Sequence, residues 1–507
     1  MFLSEALGAL SIAADMATGR PRGAALTGTI VSVRLAELAG QDEATRKDVY
    51  YTSIARFLGC TATGPEAAML ALGDDFGFNV AFQLCDWFDP DSLRAALMEN
   101  VALDSALEDR QAAFNVIVGM IDDFPAVTQA HCHQAKVLAG RLPVPGSVMG
   151  CLPYYYARWD GKLEPYAGDG IPLPSRLASI GETAELFRRR GGRKAAVDEI
   201  NARAGEQFDP HLCRLFADNA DALFDEVENC SDFDCYVSAE PGAPIPVDME
   251  ICGRLGEVAA DMVDQKCTWF AGHSRRVAAL ASDAGGRAGL PPEKVEVLRH
   301  AALFHDLGKA TVSNRIWNKD TELSTSERLE MESHSYQTEF IMGHAEPLRS
   351  LAPLAAASNE RSDGSGYHKR TPMSDLSTNL LAAANEYDVL THDLPTRKAL
   401  SPDEAAAALE TLARQKKLAA MAVSAVLQAA GHAPRKTEQV YPCGLTRREA
   451  QVLAHLARSD TTARIADALG IAEKTADHHI QSIYTKTKIR GRAAIALFAV
   501  EHGIVLD

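Results

Sequence analysis

Two groups of side chains in this sequence have the types and spacing to do chemistry. The first is His273, the adjacent pair His305-Asp306, and His334. Neutral imidazoles and a carboxylate suit a divalent transition metal, and a neighbouring His and Asp on a helix can face one cavity. The second group lies further on: Lys474, Thr475, Asp477, His479 and Lys486. The lysines suit backbone phosphates, while Thr475 and Asp477 are short polar groups able to reach base edges.

The elements that must position the second group are readable. LTRREAQVLAHLA, from Leu445 to Ala457, predicts an amphipathic helix with Thr446 as N-cap and Glu449 completing a capping box. Thr462 to Gly470 predicts a second helix stopped by its glycine, and Ala472 to Ile489 a longer third with a polar, basic side. A short helix, a glycine turn and a longer polar helix form the helix-turn-helix pattern, whose later helix enters the major groove. Arg492 to Gly503 predicts a fourth helix, with Ala494, Leu497 and Phe498 as an apolar face for pairing two copies.

Charge agrees with this division. The whole chain of 507 residues carries a net charge of -17, which argues against nucleic-acid binding over its entire surface. From Tyr441 onward, however, nine Lys and Arg face seven Asp and Glu, against 42 and 61 in the remainder. Only this tail is electrostatically suited to approach phosphates. The ten cysteines are scattered without a CxxC pair, a poor basis for a disulfide framework. The first residues show no basic signal-peptide region, and no apolar run reaches about 18 residues. The expectation is a cytoplasmic protein with no membrane partner.

Segments rich in proline and small residues, Ser238 to Met249 and Gly431 to Gly444, predict linkers. They divide the chain into expected domains at 1–237, 249–430 and 441–507. Apolar residues recur mostly at three- and four-residue spacing and strand-like alternation is scarce, so the fold class is mostly α. The first two domains read as diverged copies of one another. Gly23 to Gly59 can be laid on Gly272 to Gly308 without a gap, and His131 to Glu182 on His334 to Asn385. Tyr155 to Gly161 (YYARWDG) then falls on Ser358 to Gly364 (SNERSDG). Ala13-Ala14-Asp15-Met16 also echoes Ala259-Ala260-Asp261-Met262. Between the blocks, about Thr61 to Gln129, the first copy is much longer.

FHDLGK (Phe304 to Lys309), with His273 upstream in GHSRRVAALA, resembles the HD phosphohydrolase superfamily. NERSDGSGY (Asn359 to Tyr367) and the stretch from Asn379 narrow the resemblance to its HD-GYP branch. The resemblance covers roughly Gly253 to Leu427. It implies an all-helical domain that, in active members, binds two or three metals and hydrolyses cyclic-di-GMP. Metal-bound hydroxide attacks phosphorus there, and the metals with the motif lysine, here Lys309, neutralise developing charge. Lys309 and Asp306 are thus the candidate catalytic residues, and His273, His305, Asp306 and His334 the candidate ligands of one divalent metal, Fe, Mn or Zn. The departures are numerous. Ser358 and Asn359 stand where members use consecutive histidines, Asn385 where they use an aspartate, and Trp269 where some place a glutamate. These are poor groups for holding two cations about 3.5–4 Å apart.

The first copy has eroded further. Ala24 stands for His273, Arg56-Phe57 for His305-Asp306, Cys60 for Lys309 and Tyr155-Tyr156 for Ser358-Asn359, while His131 and Glu182 keep ligand-like types. Tyr155, Tyr156 and Trp159 read most simply as aromatics filling a vacated cavity. The sharper reading makes them, with His131, a pocket for an apolar or planar ligand. Cys60 reads as a small buried residue.

The tail resembles the LuxR-type DNA-binding domain over its whole length. The signature reads Leu445-Thr446-x-Arg448-Glu449, Ile465-Ala466, and Lys474-Thr475-x3-His479-x3-Ile483-x2-Lys486. It departs at Ala472, where a serine cap is usual, and at Ala476, Asp477 and Thr487. The resemblances together imply two tandem HD-like domains and a four-helix LuxR-type domain. They imply a homodimeric transcription regulator that binds double-stranded DNA and senses a small molecule or cyclic dinucleotide. The rival expectation is an HD-type phosphohydrolase coupled to DNA binding.

Overall fold

The computed structural model describes residues 2–163, 166–229, 232–346, 348–433, 442–457 and 460–489, with 495, 498, 499, 502 and 504. Among these, every regular element is a helix or a 3-10 turn, and the only β contacts are isolated bridges. The mostly helical fold class follows. The chain divides into two compact units, Met1–Ala433 and Pro434–Asp507.

In the first unit the two copies can be matched helix by helix. The first contributes α1 (Leu3–Ala17), α2 (Ala24–Leu38), α3 (Glu43–Ala55), α4 (Asp75–Leu84), α5 (Phe124–Ala139) and α6 (Leu173–Ala202). The second contributes α7 (Met249–Asp264), α8 (His273–Arg287), α9 (Pro292–Phe304), α10 (Thr325–Met342) and α11 (Leu376–Leu390). Helices α2 and α3 start and stop in the register of α8 and α9 that the ungapped block requires. So do the starts of α6 and α11. Gly23 and Gly272 both precede their helices in the left-handed region, at φ 80° and 70°, where glycine avoids a Cβ penalty. Gly59 and Gly308 both press against the carbonyl of the facing helix, His131 in one copy and His334 in the other, where a Cβ would overlap it. Helix α4 belongs to the long insertion of the first copy, which has its own core around Trp87, Leu93, Phe114 and Phe124.

One correspondence differs from the sequence expectation. The Asp261 carboxylate, within the echoing tetrapeptide, pairs with Arg275 and Arg141 on a half-buried surface. It is Asp264 that does the work of Asp15. Asp15 Oδ2 accepts from the Ala25 amide at 3.0 Å, and Asp264 Oδ2 from the Ser274 amide at 2.8 Å. Each carboxylate satisfies an orphan donor in the first turn of the following helix. The identical tetrapeptides are therefore about one helical turn out of register.

The copies are not separately cored. Leu7, Leu10, Tyr50 and Leu58 of the first share one apolar cluster with Leu255, Met262, Leu307 and Met342 of the second. Helix α1 packs on the 3-10 turn Leu307–Thr311, and α7 touches the matching turn Arg56–Gly59. The proline-rich segment expected as a linker is tied down, since Ile245 O accepts from Leu3 N at 2.8 Å. A second joint is polar. Lys266 Nζ lies 2.5 Å from Asp75 Oδ2 with both side chains almost fully buried, and Asp75 Oδ1 accepts from Ser313 Oγ (2.7 Å) and Asn314 N (3.0 Å). The insertion thus grips the loops beside His273 and Lys309. Eight described cysteines are free, while Cys235 is disulfide-bonded. No described helix is long and apolar enough to cross a membrane.

In the second unit α12 (Arg447–Ala457), α13 (Thr462–Leu469) and α14 (Glu473–Thr487) enclose Val452, Leu453, Ile465, Ile480 and Ile483. Gly470 ends α13 in the left-handed region at φ 63°, as its glycine predicts.

Candidate metal centre, its eroded counterpart and the DNA-binding tail

The second copy brings His273, His305 and Asp306 together, with one ligand atom from each within 4.8 Å of the others. His273 is the first residue of α8, so its side chain projects from a helix end fixed by Asp264. Its Nδ1 donates to Asp388 Oδ2 at 2.7 Å, and Asp388 is itself clamped by Arg276 at 2.8 and 3.0 Å. That contact orients the ring and leaves Nε2 facing Asp306 Oδ2 at 3.1 Å. His305 Nδ1 donates to the Ala302 carbonyl at 2.7 Å, turning its Nε2 toward the same oxygen at 3.3 Å. Both histidines therefore aim an Nε2 inward, held from behind as metal-ligating imidazoles are. Lys309 Nζ sits 2.5 Å from Asp306 Oδ2 as an ion pair off hydrogen-bond alignment, with its ammonium over the Phe270 ring. Burial alone would raise the Asp306 carboxyl. The adjoining His305, the charge of Lys309 and the His273 contact outweigh it and hold Asp306 well below the usual carboxylate range.

His273 Nε2, His305 Nε2 and both Asp306 oxygens are buried without a hydrogen-bond partner. Four buried atoms able to ligate a cation, converging without hydrogen-bond partners, are costly unless something binds them. The residues present fit one divalent cation. A second is another matter. His334, the fourth expected ligand, lies outside the cluster: its Nδ1 donates to Met331 O at 2.5 Å, and its Nε2 accepts from the Asn359 amide at 3.2 Å. Burial pushes its pKa down to about 4. Asn385 donates to Ser358 O and Asn359 Oδ1 at 3.3 and 3.4 Å. The substituted positions thus bond to one another as a neutral net. Trp269 offers only an indole N–H, given to Asn318 Oδ1. Asp388 and Arg276 were not foreseen as site residues. Asp388 lies three positions beyond Asn385, hence on the same helix face, and that spacing was its only signal.

In the first copy a guanidinium occupies the position of the His-Asp pair. Arg56 pairs with Glu182, stands 3.7 Å from the Phe57 ring centroid and 4.2 Å from that of Tyr155, and is almost fully buried. Arg20 joins the same carboxylate and Asp15. Burial, only partly offset by Arg20, raises the Asp15 pKa to about 6. Cys60 is buried and its thiol is pushed up to about 12, which fits an inert filler. The aromatics do not fill the space. A cavity of about 140 Å³ remains, lined by His131, Tyr155, Tyr156, Arg20, Arg56 and Glu182 together with residues of the insertion. Trp159, expected among the lining residues, is not one of them; it packs beneath the Arg176 guanidinium.

In the tail the capping box forms as its residues predict: Glu449 N donates to Thr446 Oγ1 (3.2 Å) and Thr446 N to Glu449 Oε2 (2.6 Å). Lys474, Thr475 and Asp477 are exposed along the first turns of α14, with His479 half-buried. Lys486 is directed inward. Its ammonium bonds Glu449 Oε2 at 2.7 Å and Gly444 O at 3.0 Å, so it positions α14 on α12. Despite partial burial, those donors hold Glu449 down at about 2. Ala472 caps α14 without a side-chain bond. Phe498, expected on a pairing face, is buried in the tail's own core against the His502 ring. Ala494 and Leu497, with most of the fourth helix, lie outside the described residues.

A helical body with a His-His-Asp cluster, followed by a helix-turn-helix, defines the class of the molecule. Residues 257–420 match the HD domain, and residues 444–499 match the luxR family of bacterial regulatory proteins. The chain carries an HD domain and a LuxR-type helix-turn-helix domain. It is similar to the 3'3'-cGAMP-specific phosphodiesterase 3 of Vibrio cholerae serotype O1, 26% identical over 416 residues, covering 80% of this chain and 90% of the relative. Phosphodiesterase 1 of the same organism is 24% identical over 298 residues, 55% of this chain and 69% of that one. The tail is similar to the uncharacterized transcriptional regulatory protein YhcZ of Bacillus subtilis, 40% identical over 73 residues, 14% of this chain and 33% of the relative. A crystal structure of the Vibrio cholerae cyclic GMP-AMP specific phosphodiesterase V-cGAP3 superposes with a TM-score of 0.59 at 23% identity. It covers 86% of this chain and 99% of that one, a likeness of fold.

Proposed function

We propose that the chain is a cytoplasmic, homodimeric transcription regulator whose tail binds double-stranded DNA and whose two HD-like copies act as sensing and dimerising modules. The carrying observation is the luxR-family match over 444–499, combined with the exposure of Lys474, Thr475 and Asp477 on one helix. Those groups are free to face a duplex, where lysine contacts phosphate and the shorter side chains approach base edges. Two tails are needed because one domain with few phosphate contacts binds weakly. The distance between tails then sets operator affinity, and any ligand that shifts it is a signal. The test is selection of bound fragments from a random DNA pool by the full chain. A recovered inverted repeat that Lys474→Ala and Thr475→Ala weaken supports the reading, and recovery no richer than for a chain ending at residue 433 overturns it.

A second reading is favoured by one observation, the convergence of unsatisfied atoms at His273, His305 and Asp306. Those residues would hold one divalent ion, Fe, Mn or Zn, which supplies Lewis-acid polarisation of a phosphoryl oxygen and an activated water. Asp388 would fix the His273 ring, and Lys309 would meet charge developing on the phosphoryl group. The relatives named as 3'3'-cGAMP phosphodiesterases make that dinucleotide the substrate to assay. Ser358, Asn359 and Asn385 weigh against a second ion and place hydrolysis behind regulation. Metal content measured with 3'3'-cGAMP turnover separates the two readings.

A further inference from the structure

We infer that the cavity of the first copy is a binding site for one planar heteroaromatic ring system of nucleobase size. This deepens the sensing role proposed above and rests on it. The space comes first. About 140 Å³ is close to the ~150 Å³ of an engineered apolar cavity that admits benzene. It accepts one ring or two fused rings and excludes a whole dinucleotide. The walls suit a flat guest. Phe82, Trp87, Phe124, Tyr155 and Tyr156 all line it, and Tyr156 meets the His131 ring edge to face with centroids 5.2 Å apart. Aromatic walls of this kind accept a flat guest by face or by edge.

The polar floor then selects an edge. His131 is more than nine-tenths buried, and its Nε2 has no hydrogen-bond partner, as is also true of Arg20 Nη2. Burial, together with the charge of Arg56, holds the His131 ring neutral, with a pKa of about 4. Nε2 is therefore an uncharged ring nitrogen left unpaired, and Arg20 Nη2 a bare donor. Neither is satisfied within the protein, which is costly at such depth. A ring edge that carries both a donor and an acceptor answers both. Charge excludes the simpler alternative of a free anion. Arg20, Arg56 and Arg203 on the lining are balanced by Glu66, Asp123 and Glu182, so no net positive charge is left for a phosphate or carboxylate. The guest is a base, either as a free base or nucleoside or as one base of a cyclic dinucleotide.

Calorimetric titration of the full chain with adenosine, guanosine and 3'3'-cGAMP distinguishes these sources. Saturable binding of a nucleoside assigns the free form, and binding of the dinucleotide alone assigns a base presented on a larger ligand. Val127→Trp fills the cavity from its rim without touching the Arg56–Glu182 pair and should abolish binding. His131→Phe keeps an aromatic ring but deletes the unpaired nitrogen, and should weaken binding about tenfold or more, equivalent to 1.4 kcal/mol. Circular dichroism and melting temperature establish that each variant is folded; should Val127→Trp fail there, His131→Phe carries the test alone. No saturable binding by any of the three compounds overturns the inference, as does binding that persists unchanged in a folded variant. DNA selection by the same protein reports separately on the regulator reading, so failure of one is distinguishable from failure of the other.

Discussion

The two copies solve the same electrostatic problem with different cations. In the second, Asp306 and two inward-facing imidazoles leave four buried atoms unsatisfied, and Lys309 covers one oxygen as an ion pair. In the first, the matching floor is closed by Arg56, whose guanidinium meets Glu182 and stacks on Phe57 and Tyr155. A guanidinium is always charged, planar and covalently attached, so it can neutralise this floor without depending on a supplied ion. The frame around both sites is unchanged: a left-handed glycine, an aspartate on the next helix's first turn, and a glycine pressed against the facing carbonyl. A different set of floor residues therefore did not require a different fold. It freed one copy to keep a cavity.

The largest expected effect tests how firmly the copies are joined. Asp75→Ala leaves Lys266 buried without its carboxylate and strips Ser313 and Asn314 of their acceptor. Breaking one partner of a buried pair costs about 3–5 kcal/mol, and denaturant unfolding of the body should lose that much. A loss below 1 kcal/mol would show that the insertion hangs loosely on the second copy. Next in size are Gly59→Ala and Gly308→Ala, where the new Cβ overlaps a backbone carbonyl in each copy. Overpacking costs about 1–3 kcal/mol, and nearly equal losses are expected because the contact is the same. Unequal losses would mean that one copy has loosened where the other has not.

Much of this was legible because it depends on residue type and spacing. The HD cluster is set by His273 and His305-Asp306, and the tail by its capping box and Gly470, all of which landed where the pattern placed them. What stayed hidden depends on direction. Asp261 shares a tetrapeptide with Asp15, yet Asp264 has the matching contact, because identity on a helix cannot report which turn faces a neighbour. Lys486 has the charge for phosphate but spends it on Glu449 and the Gly444 carbonyl. Trp159 is aromatic and adjacent to the pocket tyrosines, but it packs under Arg176. Asp388 escaped notice because it acts on His273 from behind rather than facing the cluster. The shared core of the two copies was hidden for a similar reason, since a proline-rich stretch reads as a linker whether or not its backbone is tied to α1.

Asp388→Asn measures how far the second copy still depends on a prepared metal site. The substitution keeps the shape but weakens the acceptor that holds His273 Nδ1 and removes the charge paired with Arg276. Such supporting carboxylates are worth about 10–100-fold in metal affinity, so competition with a chelator should show a drop of that order for Mn or Fe. Thermal stability without metal should change far less. In the first copy the analogous position is Glu185, bonded to Arg188 and Arg189, and Glu185→Gln should leave metal affinity unchanged. A drop from both variants would erase the distinction between the copies.

The smallest effect is a pH slope, which burial gives to Asp15 in the first copy as it does to the counterpart Asp264 in the second. Burial raises the Asp15 pKa from 3.8 to about 6, so between these values the folded state holds a proton that the unfolded chain has released. More protons bound in the native state means that stability falls as pH rises across that window and is constant in this respect above it. Asp15→Asn cannot titrate, and its acceptor oxygen can still take the Ala25 amide. Relative to the parent chain, the variant should therefore gain stability steadily from pH 4 to pH 6, on top of a constant loss from its broken contact with Arg20. A difference that stays flat across the window would mean that Arg20 and Arg56 keep Asp15 ionised throughout. The first copy would then be a permanently charged structural knot, with its guanidinium cations fully committed and its cavity floor less open to a guest.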